Sequence, residues 1–131
     1  MLFQIKNRHE DMHKGLCIVR INKDVLNISG TVITDRNASS DYVRFASAPE
    51  GLRIIDKELV FARYWNHADP IEKDCHTSIK CAEVLVPDKV PIDFLLGAYV
   101  SCEESCRILY DIIENSKPDF KIVVNSDLFF M

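Results

Sequence analysis

CAEVLV, at residues 81–86, is a strand-like run that carries a single carboxylate, that of Glu83. Successive side chains on a strand point to opposite faces, so Glu83 would share a face with Cys81 and Leu85. A carboxylate between apolar neighbours is costly to bury unless it is paired or takes part in chemistry. An outward-facing glutamate on an edge strand would show the same pattern. Glu83 is therefore a candidate catalytic residue, and both interpretations stay open at this point.

Other strand-like runs lie on both sides of this one. They are rich in apolar and β-branched residues and occupy residues 16–21, 31–34, 94–100 and 120–124. Apolar spacing predicts a helix over residues 52–63 and a second helix with Ser101 as N-cap, where Glu104 completes a capping box. Because helices do not regularly separate the strands, the pattern predicts an α+β fold, with a single domain over residues 1–131.

Two polar stretches are candidates for holding a substrate. DRNA at residues 35–38 follows a strand, and the side chains of Asp35 and Asn37 either stabilise a turn or contact a ligand. Residues 64–80 are predicted to form a long loop, a kind of segment that is often functional. Near its start is Trp65, whose indole either stacks on a base or anchors the loop to the core.

Composition excludes several classes of function. The formal net charge is −4, whereas a non-specific duplex binder usually has a basic excess, so a nucleic acid would have to be held by a local patch or a pocket. The odd number of cysteines, five, indicates reduced thiols in the cytoplasm, since no signal peptide or membrane-spanning apolar run accompanies them. Cys75, His76 and Cys81 lack the spacing of a zinc site, so we predict no metal.

Several motifs in a fixed order resemble one known family. TDRNA at residues 34–38 is followed by a polar stretch with Trp65, then by AEVLVP at residues 82–87 and VP at residues 90–91. This order resembles DarT, the DNA ADP-ribosyltransferase toxins of bacterial toxin–antitoxin systems. Two further segments resemble the family as well, namely MLF at residues 1–3 and the aromatic end at residues 120–130.

The resemblance implies an activity and assigns roles to residues. DarT enzymes use NAD+ as co-substrate and transfer ADP-ribose to a base, typically thymine, in single-stranded DNA. Their fold is the ADP-ribosyltransferase one, with two short β-sheets and few helices around an NAD cleft. By resemblance Glu83 is the catalytic glutamate, and Asp35 and Asn37 support the cleft. The loop before the glutamate reads the DNA, which here assigns substrate contacts to Trp65, His67, His76 and Lys80.

One departure from the family bears on NAD binding. DarT proteins carry an N-terminal region with a histidine and an arginine that contact the cofactor, whereas this sequence begins at the segment that follows that region. His9 and His13 lie after the segment and are not counterparts. We therefore expect an N-terminally truncated ADP-ribosyltransferase fold in which the residues that bind NAD are not identified.

Three interpretations of the function follow. The first is an NAD-dependent transferase that acts on single-stranded DNA and is countered by an antitoxin protein. The second is a catalytically inactive relative that binds DNA or a protein on the same scaffold. The third is an interaction domain whose exposed strand edges pair with an N-terminal half or with a second copy of the chain. All three imply a cytoplasmic protein without a membrane partner.

Overall fold

The structure is a computed structural model that describes residues 12–113 and 116–129. Contacts within the chain define two compact units, named here by their position in the sequence. The central unit is Lys23–Val90, and the flanking unit combines Met1–Asn22 with Pro91–Met131. The opening MLF segment, His9 and Phe130 lie outside the described residues.

Two short sheets and few helices make up the fold. The described residues contain six strands: β1 (Cys17–Ile21), β2 (Val32–Thr34), β3 (Phe45–Ser47), β4 (Val84–Leu85), β5 (Leu95–Val100) and β6 (Lys121–Val124). They also contain three α-helices: α1 (Lys57–Val60), α2 (Pro70–Ile79) and α3 (Glu103–Ile113). Short 3-10 turns occupy Met12–Gly15, Lys23–Asn27, Glu50–Ile54, Ile92–Phe94 and Ser126–Phe129. The predicted α+β class, with two short sheets and few helices, is confirmed.

The flanking unit is built on a three-stranded sheet with the order β1-β5-β6. β1 runs antiparallel to β5, with Cys17 opposite Val100, whereas β5 and β6 are parallel. Ala98 and Val100 of the middle strand belong to the buried core. Gly97 lies opposite Lys121, and a Cβ at this position would collide with the Lys121 carbonyl. Only glycine lets these two strands approach so closely.

Helix α3 confirms the predicted helix but not its predicted cap. The Ser101 hydroxyl donates to the carbonyl of His13 at 3.1 Å and so ties the start of the helix to the 3-10 turn Met12–Gly15. The cap position belongs to Cys102, whose sulfur lies 3.2 Å from the Ser105 hydroxyl. The helix therefore begins at Glu103, with two glutamates in its first turn, where the helix dipole favours negative charge.

The central unit is built on a second sheet, with the order β3-β2-β4 and antiparallel pairing throughout. Ile33 in the middle of β2 is fully buried and lies between Ala46 and Val84 of the neighbouring strands. Strand β3 was not predicted, because three residues carry too little alternation to be recognised.

Two elements of this unit are shorter than predicted. The strand predicted over residues 81–86 is regular only in β4, and Glu83 precedes it. The helix predicted over residues 52–63 is replaced by the 3-10 turn Glu50–Ile54 and the single turn α1. Ile55 interrupts the helical path because its backbone is extended, with ψ at 123°.

The long loop predicted over residues 64–80 is wrong, since most of it is helix α2. Asp69 caps the helix, its side chain accepting from the Ile71 N–H at 2.9 Å, and Pro70 occupies the first turn, where its missing N–H has no cost. The buried residue of this helix is His76. The apolar residues Ile71 and Cys75 of this helix are exposed, so its packed face carries no apolar stripe of the kind from which helices are predicted.

Every helix within residues 12–113 and 116–129 falls short of the length and apolarity that a bilayer span requires. Nor does this part of the chain bring three or more His, Cys, Asp or Glu side chains together in a way that could hold a metal ion. All five cysteines are free thiols.

Candidate active site

Glu83 lies one residue before β4 and continues its pairing with β2. The backbone N–H of Thr34 donates to the Glu83 carbonyl at 2.9 Å, and the Glu83 N–H donates to the Thr34 hydroxyl at 3.0 Å. Thr34 is fully buried. The regular ladder ends here because a side-chain oxygen takes the place of the next main-chain acceptor. Both backbone polar groups of Glu83 are nevertheless held.

The Glu83 carboxylate faces solvent and is oriented by a main-chain donor. The backbone N–H of Ala38 donates to its Oε2 at 2.9 Å. Hydrogen bonds to an ionised carboxylate are roughly twice as strong as those between neutral groups. The carboxylate is therefore not buried between apolar neighbours, and it is not an undirected surface charge either. An oriented, accessible carboxylate can stabilise positive charge that develops on a bound ligand.

The loop at residues 35–40 presents the Ala38 donor. Asn37 shapes this loop, because its Oδ1 accepts hydrogen bonds from the backbone N–H of Ser39 at 2.9 Å and from the Ser39 hydroxyl at 2.7 Å. The Asn37 N–H donates to the carbonyl of Ser78 in α2 at 2.9 Å. The structure thus brings Asn37 close to Glu83 in a turn-stabilising arrangement.

Asp35 is a buried anion at the start of the same loop. Its carboxylate accepts from the Arg44 backbone N–H at 2.9 Å and from Arg44 Nε at 2.7 Å, and Arg36 Nε lies 3.5 Å away. Burial by itself would raise the pKa of Asp35, but the hydrogen bonds from Arg44 and the charges of Arg36 and Arg44 outweigh it and lower the pKa below the ordinary 3.8. These bonds hold the start of the loop against Arg44, the residue that precedes β3.

Two of the predicted substrate-loop residues form a histidine pair. His76 Nε2 lies 2.9 Å from the Leu59 carbonyl, which can only accept, so this nitrogen carries the proton. His76 Nδ1 then accepts from His67 Nε2 at 2.8 Å. The other ring nitrogen of His67 lies 3.7 Å from the carboxylate of Glu72. His76 is buried, so its polar atoms serve the fold of this segment.

The other two predicted substrate-loop residues contact each other. Lys80 Nζ lies 4.5 Å from the centroid of the Trp65 ring. The same ammonium donates to the carbonyls of Ala62 at 2.6 Å and Val60 at 3.1 Å. Burial lowers the pKa of Lys80 below its ordinary value, and the neighbouring Cys81 opposes this only in part. The four residues therefore come together along α2.

Three groups in this region were not predicted from the sequence. They are the hydroxyl of Thr34, the backbone N–H of Ala38 and the side chain of Arg44. Thr34 and Ala38 belong to the TDRNA motif, so its position was informative although the roles were not. Nothing in the sequence marks Arg44 as the partner of Asp35, because the bond depends on the loop between them.

Solved structures of other proteins share this fold. Thermosipho africanus DarTG in complex with ADP-ribose matches with a TM-score of 0.80 and 23% identity, over 100% of this chain and 33% of that chain. Thermus sp. 2.9 DarT in complex with NAD+ matches with a TM-score of 0.64 and 25% identity, over 74% and 48% of the two chains. Thermus sp. 2.9 DarT in complex with ADP-ribosylated ssDNA matches with a TM-score of 0.67 and 23% identity, over 82% of this chain and 51% of that chain. This chain thus spans between 33% and 51% of these proteins.

The family comparison agrees with the structural one. A comparison with curated proteins gave no match. The family model for DarT, described as ssDNA thymidine ADP-ribosyltransferase, matches residues 1–130. The match includes the TDRNA and AEVLVP motifs and confirms the resemblance drawn from them. The chain therefore belongs to the DarT family.

Proposed function

We propose that this chain transfers ADP-ribose from NAD+ to a thymine base of single-stranded DNA, with Glu83 as its catalytic residue. The observation that carries the proposal is the exposed Glu83 carboxylate, which the Ala38 N–H orients at 2.9 Å. This arrangement occurs in a chain whose residues 1–130 match a family of ssDNA thymidine ADP-ribosyltransferases. The solved complexes of Thermus sp. 2.9 DarT with NAD+ and with ADP-ribosylated ssDNA support both substrates.

The proposed reaction exchanges one bond at the ribose C1′ for another. The bond from C1′ to the nicotinamide nitrogen breaks, and nicotinamide leaves with the bonding electrons. A nitrogen of thymine forms the new bond to C1′ and loses its proton. Positive charge builds up on the ribose during this exchange, and a fixed carboxylate beside it lowers the energy of the transition state. The Glu83 carboxylate can also accept the proton from the thymine nitrogen.

Single-stranded DNA suits a chain of this charge. The net charge of −4 does not favour binding to duplex DNA by phosphate neutralisation. A base in a single strand can reach a carboxylate without the cost of leaving a duplex stack. Among the predicted substrate-loop residues, we assign the base contact to Trp65, because an indole can stack on any base. His67, His76 and Lys80 then support the segment that carries it.

The biological setting is also part of the proposal. We propose that the chain acts in the cytoplasm, where NAD+ and DNA occur together, as the toxin of a toxin–antitoxin system. The motif resemblance to DarT supports this role. A partner antitoxin would then be a protein that blocks the site or reverses the modification. Expression of the chain in bacteria tests the toxicity: growth should stop with the wild-type chain and continue with Glu83→Gln.

A direct assay tests the chemistry. The purified chain is incubated with NAD+ and thymine-containing single-stranded oligonucleotides, and adducts are identified by mass spectrometry. We expect Glu83→Gln to lower the rate by about 100-fold or more, because it removes the charge while keeping the size of the side chain. Glu58→Gln is the matched control, since Glu58 is another exposed glutamate of the central unit. It should leave the rate unchanged.

The same assay separates the alternative functions. If the folded chain gives no adduct, autonomous catalysis is excluded. Oligonucleotide binding that survives Glu83→Gln would then favour a binding module on the same scaffold. A mass in solution above that of one chain would favour the interaction domain, with a second copy as its partner. If Glu83→Gln retains the full rate, Glu83 is not the catalytic residue.

A further inference from the structure

Carbonyls in the last turn of α1 and just after it are bonded to side chains of α2 and of its C-cap residue Lys80. A helix leaves its last carbonyls without partners of its own. Here His76 donates to Leu59 at 2.9 Å, while Lys80 donates to Val60 at 3.1 Å and to Ala62 at 2.6 Å. His76 and Lys80 are four residues apart, which places them on one face of the helix and its cap. Polar side chains thus fasten the segment at residues 59–62 to α2.

Lys80 also contacts the one tryptophan of the sequence. Its Nζ lies 4.5 Å from the Trp65 ring centroid, which is inside the cation–π range of about 6 Å. The carbonyl bonds hold the ammonium in place, so the ring meets a fixed cation and not a mobile one. Partial burial of Lys80 strengthens this attraction, because water screens it less.

The same end of α2 is bonded to the loop that orients Glu83. The carbonyl of Ser78 accepts from the Asn37 N–H at 2.9 Å, and the next residue of that loop, Ala38, donates to the Glu83 carboxylate. Lys80 is two residues after Ser78. The last turn of α2 and its cap are therefore bonded both to the segment at residues 60–65 and to the loop at residues 35–40.

We propose that Lys80 is a positioning residue for the DNA substrate, which acts through Trp65 by fixing the indole for stacking on the base that is brought to Glu83. This inference rests on the proposed function, because it assigns Trp65 to DNA. Lys80 does not touch the substrate, since two carbonyls and the indole occupy its ammonium. A ring that is already fixed loses less conformational entropy when a base stacks on it.

The first test needs no activity. Trp65 is the only tryptophan of the sequence, so the intrinsic tryptophan fluorescence comes from this ring alone. In Lys80→Met we expect the emission to shift to the red and quenching by acrylamide to rise. Lys73→Met is the matched control, because Lys73 is an exposed lysine on the same helix, and it should leave the emission unchanged. Unchanged emission and quenching in a folded Lys80→Met would overturn the inference.

The second test separates positioning from stability. In Lys80→Met we expect the KM for a single-stranded oligonucleotide to rise about fivefold or more, while kcat and the KM for NAD+ stay near wild type. Lys80→Arg should restore most of the loss. If Lys80→Met does not fold, Lys80→Gln keeps a donor for the carbonyls but lacks the charge, and it should still show the raised KM. An oligonucleotide KM equal to wild type in a folded variant contradicts the inference.

Failure of the proposed function would leave this test intact. If the wild-type chain transfers no ADP-ribose, the dissociation constant of a fluorescent single-stranded oligonucleotide, measured by anisotropy, takes the place of KM. A weaker affinity in Lys80→Met than in Lys73→Met then supports the positioning role without catalysis. Equal affinities in the two variants reject it, whether or not the wild-type chain is an enzyme.

Discussion

The backbone N–H of Ala38 donates a 2.9 Å hydrogen bond to Oε2 of Glu83 and joins parts of the chain that are 45 residues apart. The donor belongs to the main chain, so the identity of the side chain at residue 38 does not determine this hydrogen bond. Its direction depends on the turn that Asn37 forms with Ser39. The orientation of the carboxylate therefore depends on a residue that does not touch it.

Replacing Asn37 tests this dependence. Asn37→Ala removes the acceptor of two hydrogen bonds from Ser39, so the turn that presents the Ala38 N–H relaxes. We expect kcat for ADP-ribosylation to fall about fivefold, as loss of one hydrogen bond of about 1 kcal/mol from the oriented carboxylate implies. Ser39→Ala is the comparison variant: it removes only the bond from the hydroxyl and keeps the backbone N–H that bonds to Asn37, so its kcat should fall less. Equal kcat values for Asn37→Ala and wild type would show that the turn does not orient the carboxylate.

How far the site could be predicted depended on where each signal lies. Glu83 stands out because a charge interrupts an apolar run, and Asn37 because its residue type forms turns. The Ala38 donor has no signal of this kind, since every residue except proline has an N–H. The bond between Thr34 and Glu83 likewise depends on which strand ends where.

A buried hydroxyl gives the second prediction. Thr34→Val keeps the shape of the side chain but removes the acceptor of the Glu83 N–H, which lies 3.0 Å away. We expect the free energy of unfolding to fall by about 1–3 kcal/mol, because the change removes this bond inside a buried environment. Urea denaturation measures the change. Thr31→Val is the control: Thr31 is also buried, but its hydroxyl makes only a long bond of 3.4 Å to Val25. A larger loss in Thr31→Val than in Thr34→Val would contradict the argument.

The lowered pKa of Asp35 gives the third prediction. A carboxyl with a depressed pKa in the folded state binds its proton more weakly there than in the unfolded chain, so it contributes stability at pH values above about 4. This contribution disappears as the pH falls through the folded-state pKa. We expect Asp35→Asn to lower the free energy of unfolding by about 1–3 kcal/mol at neutral pH. The difference in free energy of unfolding between wild type and Asp35→Asn should become smaller below pH 3.8.

Thermal melts at several pH values measure that difference. Asp41→Asn is a suitable control, because Asp41 is an exposed aspartate shortly after the same loop. Its melting temperature should follow wild type at every pH. A stability difference between wild type and Asp35→Asn that stays constant down to strongly acidic pH would show that the ionised form of Asp35 is not what stabilises the fold.

Five of the six described strands and α3 were predictable, whereas β3 and α2 were not, and for α2 the reason is physical. Strands β2 and β5 bury apolar residues such as Ile33 and Val100, and half-buried Cys106, Leu109 and Ile113 recur at helical spacing along α3. Helix α2 is fastened through His76 and Lys80, whose bonds go to carbonyls of residues 59–62. Polar fastening leaves no periodic pattern in the sequence. The cap at Asp69 and Pro70 was the signal that could have indicated this helix.

The histidine pair gives the last prediction. Because the Leu59 carbonyl can only accept, neutral His76 must carry its proton on Nε2 and accept from His67 on Nδ1. Two-dimensional NMR with 15N-labelled histidine distinguishes this tautomer directly.

We expect His76→Ala to lower the free energy of unfolding by about 2–3 kcal/mol, because two hydrogen bonds are lost and a cavity is left. His67→Ala keeps the bond from His76 to the Leu59 carbonyl and should lower the free energy of unfolding by about 1 kcal/mol. An Nδ1–H tautomer for His76, or equal losses in the two variants, would show that the bond to Leu59 does not hold α1 on α2.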